Sequence, residues 1–175
     1  DPRADRPEAA GALLAVDTGP ANAPLDDLMS ARTGAGYDRD GKHARAGRAD
    51  REVVDAVLTR RFFRKMPPKS LDRGDFSDLA ELCSDLSLED AAATMVAVIA
   101  ATVAEGLTHC PAPPTRLLVT GGGRKNPAIM AALKHETGSP VEPVEALGLD
   151  GDMLEAQAFA NLAVRVVRGL PTTAP

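Results

Sequence analysis

Aromatic side chains are nearly missing from this sequence of 175 residues: they make up 3% of it, with no Trp, one Tyr and four Phe. The core must therefore be assembled from Ala, Leu and Val, and helices that face one another through alanines approach closely. Cysteine is as scarce. Two residues, Cys83 and Cys110, are too few and too unpatterned for a disulfide scaffold or a zinc site, and read as buried thiols in a reducing compartment. The three histidines show no metal-ligand spacing, so no metal site is assigned. Positive charge is in deficit: 20 Lys and Arg stand against 25 Asp and Glu, a net charge of -5. That balance argues against a general nucleic-acid or membrane-surface binder. No signal-peptide pattern is found, and no apolar run is expected to be long enough to cross a bilayer. The longest candidate, residues 91–104, contains Thr94 and Thr102, is flanked by acids, and reads as a helix of a soluble, cytoplasmic protein.

What is present suits a globular chain. Hydrophobic residues contribute 44% and charged residues 26%, in a length that supports one good core or two small ones. The first residue is Asp1 rather than Met, so a fragment or a processed or trimmed product is expected. Residues 1–11, charged and Pro-containing, read as a loop or frayed end.

The most informative stretch is residues 117–138. Leu117, Leu118 and Val119 predict a short buried strand, followed by Gly121, Gly122 and Gly123, where the lack of a Cβ lets a ligand approach the backbone. Asn126 is a good N-cap, Pro127 suits the first helical position, Ile129, Met130 and Leu133 supply an inward face, and Gly138 ends the helix. A strand, a glycine turn and a capped helix together form a common nucleotide or phosphate site, with backbone N–H groups and a helix N-terminus aimed at the ligand. An ordinary tight strand-to-helix crossing has the same spacing, and the residues alone leave both open.

Elsewhere the chain reads as mixed α/β. Residues 13–16 predict a strand, and Asp17, Thr18, Gly19 and Pro20 a sharp turn after it. An acid and a hydroxyl at a strand end suit ligand contact, although Asp17 capping its own backbone is the simpler use. Residues 22–30 predict a short helix with Leu25, Leu28 and Met29 inward. The polar, Gly-rich residues 31–48 lack calcium-loop spacing and read as a surface excursion. A helix over 49–61 turns Val53, Val54, Val57 and Leu58 to one side. In residues 62–76, three phenylalanines and Pro67-Pro68 surround Lys69 and Ser70; this loop either presents a cation or is pinned between aromatic anchors, with the structural role favoured.

A short helix is predicted over 76–84. A long one follows, with Ser87 and Asp90 as a capping box and Ala92, Met95, Val96, Ile99, Val103 and Leu107 as its buried stripe, lying across the sheet. Residues 141–144 predict a short strand. In the last helix, over 151–169, Glu155 shares a face with Phe159, Leu162 and Val166. A carboxylate there needs a partner or a pocket mouth, or simply complements the helix dipole together with Asp152.

Five segments in order, DTGPAN (17–22), YDRDGKHARAG (37–47), PPKS (67–70), GGGRKNP (121–127) and DGDMLEAQAFANLA (150–163), resemble the C-terminal half of the anhydro-N-acetylmuramic acid kinases over nearly the whole chain. The resemblance implies one lobe, over residues 1–175, of an actin-like fold of the sugar kinase and heat-shock ATPase kind, in which two α/β lobes close over ATP. It implies that Gly121, Gly122, Gly123 and Asn126 hold the adenosine part of ATP. Asp17, Thr18, Gly19 and Asn22 would lie in the interlobe cleft near phosphates and sugar, and Glu155 would face the sugar. The implied reaction opens the 1,6-anhydro ring with water and transfers the ATP γ-phosphate to O6, with Mg²⁺ and a carboxylate base. The phosphate loop and that base lie in the missing N-terminal lobe, so no catalytic residue is expected in this chain, which alone is expected to be inactive. Ala21 departs from the family's usual Gly, and residues 71–74 replace the usual Thr-Gly-Arg-Glu. The resemblance is also compatible with a homodimer. The alternative is a non-catalytic nucleotide-binding or structural domain that keeps the lobe's fold. A dinucleotide-dependent oxidoreductase is disfavoured because GGGRKN lacks the final glycine of the fingerprint.

Overall fold

The computed structural model describes residues 12–173; the segment 1–11, expected to be a loop or frayed end, lies outside the described residues. Small side chains decide the centre of the fold. Helix α5 (Leu88–Leu107) carries Ala91, Ala92, Ala93, Thr94, Ala100, Ala101, Thr102 and Gly106 among its buried positions, and is covered on nearly every side. Around it pack α6 (Pro127–Thr137), α2 (Lys42–Ala46), α3 (Arg51–Leu58) and α1 (Ala23–Thr33). Leu25, Leu28 and Met29 of α1, Val54 and Val57 of α3, and Ile129 and Leu133 of α6 complete the core, as their spacing predicts. Met130, expected beside Ile129, is only half-buried.

Four expectations about α5 change. Its stripe of Ala92, Met95, Val96 and Ile99 is buried, while Val103 and Leu107 are half-buried. It is ringed by helices rather than laid across the sheet, because alanine and threonine faces accept a neighbour from several directions. It also has the length and mean hydropathy, 20 residues and 1.5, of a membrane span, contrary to the expectation that no run does. The two threonines do not interrupt it: Thr94 Oγ1 donates to Asp90 O at 2.7 Å and Thr102 Oγ1 to Ile99 O at 3.1 Å, hiding both hydroxyls inside the helix. The fold uses this apolar helix as its core, with 67% of the span buried. At its start Ser87 Oγ accepts from Asp90 N, but the reciprocal half of the capping box is replaced: Asp90 Oδ1 accepts from Arg48 N at 2.7 Å.

Strands β1 (Leu117–Val119) and β2 (Val141–Pro143) run parallel, with Leu117 opposite Val141 and Val119 opposite Pro143; α6 is their crossover. With one neighbour each, the strands are not enclosed. Leu118, expected to be buried, is 37% exposed, and only Val119 and Val141 reach the core. The strand expected at 13–16 does not form, because no adjacent strand is found among the described residues. The segment's exit is held by a bond from Asp17 N to Lys69 O at 3.3 Å, and Leu13 and Leu14 face solvent. Short helix α4 (Leu79–Leu82) and a 3-10 turn at Arg73–Phe76 occupy the predicted 76–84 region.

Residues 31–48 are the other correction. Their first half is exposed, but Asp38 is buried and its carboxylate accepts from His43 N and Ala44 N, both at 3.0 Å, fixing the start of α2. Ala44 then enters the core. A buried carboxylate that meets two backbone donors costs little, so a polar segment packs inward. Gly47 ends α2 directly against the Glu89 carbonyl, leaving no room for a Cβ. Gly47→Ala is therefore expected to destabilise the fold by about 1–3 kcal/mol, whereas Gly36→Ala, whose added methyl meets open space, leaves stability unchanged. Denaturant unfolding of the two variants checks this pair.

Candidate functional site

The turn after β1 opens at Gly121, whose φ of 73° suits glycine, and tightens into a 3-10 turn over Gly122–Lys125. Asn126 then caps α6: its Oδ1 accepts from Ala128 N at 2.9 Å and from Ile129 N at 3.3 Å. Its Nδ2 donates to Asp38 O at 3.4 Å, so the same side chain ties the cap to the α2 segment. At the other end Gly138, with φ 64°, donates its N–H to Lys134 O. This geometry changes one expectation. Two of the first N–H groups of α6 are satisfied by Asn126 itself and Pro127 has none, so the helix N-terminus is not the free anion cradle that the spacing predicts.

Beside this cap lies a cavity of about 440 Å³. Gly122, Gly123 and Asn126 line one wall; Asn22 and Asp26 of the α1 start line another; Tyr37, Arg39, Asp40 and Lys125 rim it. A Cβ placed on Gly122 would stand in ordinary contact, 3.7 Å from Asn22 Nδ2, so a larger side chain there would enter the space between the two walls. Asn22 Nδ2 donates to Asp26 Oδ2 at 2.6 Å. Burial pushes the Asp26 carboxyl above its ordinary value, the Asn22 bond opposes this, and neighbouring Asp27 adds to it. The Arg39 guanidinium lies 5.6 Å from the Tyr37 ring centroid. The amides of Asn22 and Asn126, the Arg39–Tyr37 pair and the Lys125 side chain share this lining with the carboxylates of Asp26 and Asp40, so polar groups of both signs surround a volume of small-ligand size.

The remaining sequence-predicted residues do not share this cavity. Of the segment 17–22, Asn22 alone among its four site candidates and their neighbours Pro20 and Ala21 lines it. Asp17 neither caps its own turn nor faces the cavity: its Oδ2 accepts from Leu71 N at 2.7 Å, bracing the loop that follows Lys69. Thr18 packs on Gly106 and Gly19 on Thr102, wedging the turn onto α5. Lys69 is buried, with Nζ 4.6 Å from the Phe62 centroid and donating to His109 Nε2 at 3.3 Å. That is the loop-pinning use of the cation. Glu155 lies on α7 (Leu154–Val167), but the face it shares with Phe159, Leu162 and Val166 is not buried: Phe159 is 65% exposed and no residue of α7 is fully buried.

Sequence reasoning gave no role to Arg124, which joins the glycine turn to the start of α7. Its side chain is buried; Nη1 donates to Gly121 O at 2.7 Å and to Asp152 Oδ1 at 3.0 Å, and Nε donates to Glu145 Oε1 at 2.8 Å. Lys125 Nζ adds a bond to Asp152 Oδ2 at 2.7 Å. The hydrogen bond from Arg124, then that from Lys125, lowers the Asp152 carboxyl from its usual 3.8 to about 2; the Arg124 bond lowers Glu145 as well. Between those two values the unfolded chain binds a proton on Asp152 that the folded chain does not. The stabilisation is therefore complete above pH 4 and is lost as pH falls toward 2. Melting temperatures taken from pH 5 to pH 2 are expected to fall less steeply for Arg124→Met than for the unmodified chain.

A family model described as anhydro-N-acetylmuramic acid kinase matches residues 7–175. A protein of that name from Roseobacter denitrificans is 57% identical over 175 residues, covering 100% of this chain and 46% of the relative. Namesakes from Ruegeria sp. and Cereibacter sphaeroides are 55% and 59% identical, covering 100% of this chain and 47% of each relative. The chain thus spans about half the length of the curated relatives it matches. By the extent of the family match, the chain belongs to the anhydro-N-acetylmuramic acid kinase family.

Proposed function

We propose that this chain is the C-terminal lobe of an actin-like cytoplasmic kinase of peptidoglycan recycling, acting on 1,6-anhydro-N-acetylmuramic acid. In the reaction water adds at C1, the C1–O6 bond of the anhydro bridge breaks, and O6 takes the γ-phosphoryl group of ATP with ADP leaving. The carrying observation is the cavity that brings Asn22, Gly122, Gly123 and Asn126 together at the head of α6. Its size, its bare glycine wall and its rim of Arg39 and Lys125 fit a nucleotide with its purine inward and its phosphates toward the cations. Gly121 shapes the turn from outside the cavity. Asp17, Thr18 and Gly19 belong to this reading as the scaffold that sets Asn22, and Glu155 as an exposed carboxylate on the side where the sugar would arrive.

The fit to Mg²⁺ is different. Among the described residues no group of three carboxylate, imidazole or thiolate donors gathers, so the ion would be held by the nucleotide phosphates and the other lobe. With the phosphate loop and base also assigned to that lobe, the chain alone turns over no substrate.

The expected outcome in calorimetric titration with ATP and Mg²⁺ is binding that Gly122→Val weakens at least tenfold, about 1.4 kcal/mol, by filling the cavity. Equal binding by variant and unmodified chain, or none by either, would refute the assignment of the cavity. Phosphoryl transfer to the anhydro sugar is expected only after adding the part of the Roseobacter denitrificans relative that lies outside the aligned region.

A further inference from the structure

Helix α7 takes little orientation from the core, since none of its residues is fully buried. Its setting is decided at its root, where the chain from Glu145 to Asp152 meets the glycine turn. The meeting point is the Arg124 guanidinium. Besides the bonds from Nε and Nη1, Nη2 reaches Glu145 Oε1 at 2.8 Å, so all three nitrogens are engaged. A planar fork with acceptors on both sides holds one orientation, which a flexible ammonium would not. The fit around it is close as well. A Cβ on Gly151 would collide with Arg124 Nε and lie 2.7 Å from Cζ and 2.9 Å from Glu145 Oε1. The backbone at the root of α7 thus lies directly against the guanidinium.

The opposite end of this network is the cavity. Gly122, Gly123 and Lys125 line it, and Lys125 Nζ also bonds Asp152 Oδ2. A ligand held between this wall and Asn22 fixes the turn. The Gly121 carbonyl and the Lys125 ammonium then fix Arg124 and Asp152. Glu155 follows three residues after Asp152, in the first turn of α7. Where ordering one site orders a second, the two are coupled.

We propose, resting on the nucleotide reading of the cavity, that Arg124 is a positioning residue that transmits occupancy of the cavity to α7. A nucleotide in the cavity orders α7, and sets Glu155, through the guanidinium, its Gly121 contact and its two carboxylates. Arg124→Met separates this role from a purely structural one. Glu145 and Asp152 have side chains 45% and 58% exposed, so both return to water when the guanidinium is removed. Thr120 Oγ1 still donates to Gly151 O at 3.3 Å and keeps the root of α7 in place. A second variant, Glu145→Ala with Asp152→Ala, cuts the network on the α7 side and leaves the Arg124 bond to Gly121 O intact.

The test is amide hydrogen exchange over residues 154–167, followed by mass spectrometry, with and without ATP and Mg²⁺ at saturation fixed by calorimetry. In the unmodified chain ATP is expected to slow this exchange by about fivefold or more. In both variants the slowing is lost, while ATP affinity stays within about threefold of the unmodified chain. Arg116→Met, which removes an exposed cation paired with Glu142 of β2 at 3.9 Å, keeps the full slowing. A merely structural Arg124 would instead speed exchange equally with and without ATP, leaving their ratio unchanged, and that result overturns the proposal. ATP binding without slower exchange of α7 in the unmodified chain also overturns it, and leaves the nucleotide site standing. If Arg124→Met abolishes ATP binding, the double variant decides: slowing that persists there, or loss of ATP binding there too, overturns the proposal. No ATP binding by the unmodified chain refutes the nucleotide site, and the transmission with it.

Discussion

A helix made largely of alanine can be buried only by bringing its neighbours close, and that requirement shapes this chain. Around α5 the contacts are short: Gly19 sits against Thr102, Thr18 against Gly106, and Gly47 against the Glu89 carbonyl. Each contact brings in a polar segment that would otherwise remain at the surface. The 17–22 turn arrives through Thr18 and Gly19, and the α2 segment through Gly47 and Ala44. With aromatics at 3% of the sequence, few bulky side chains could have kept these segments apart. Dense packing of small residues substitutes for large apolar area, at the cost of tolerance: a methyl group is already too much at several points.

That packing also makes the cavity. Asn22 reaches it because the turn before it is wedged on α5, and Asn126 reaches it because its amide spans from the α6 cap to the Asp38 carbonyl. The walls are thus separate stretches of chain held by one helix. The exposed carboxylates and cations at the rim are arranged on loops over this framework, where ligand contacts usually lie.

Local signals were the legible ones. Asn126-Pro127 at one end and Gly138 at the other bound α6 as the sequence predicts, Ser87 caps α5, and the 141–144 strand forms over three residues. These depend on side chains bonding to backbone a few residues away. What was not legible needs distant partners. The 13–16 segment has strand composition but no strand beside it among the described residues, and the last helix has an amphipathic pattern but no fully buried residue. Arg124 carries no sequence signal, because Glu145 and Asp152 are 21 and 28 residues away and only the fold brings them together. The residues grouped in advance near phosphates and sugar divide for the same reason. Asn22 lines the cavity, whereas Asp17 is occupied 54 residues downstream at Leu71.

The Arg124 guanidinium has a mechanical consequence. It grips the carbonyl of Gly121 on one side and the carboxylates at the root of α7 on the other. The last helix therefore cannot tilt as a rigid rod without either releasing those ion pairs or pulling on the glycine hinge. Any body that leans on this lever arm is felt at the wall of the cavity.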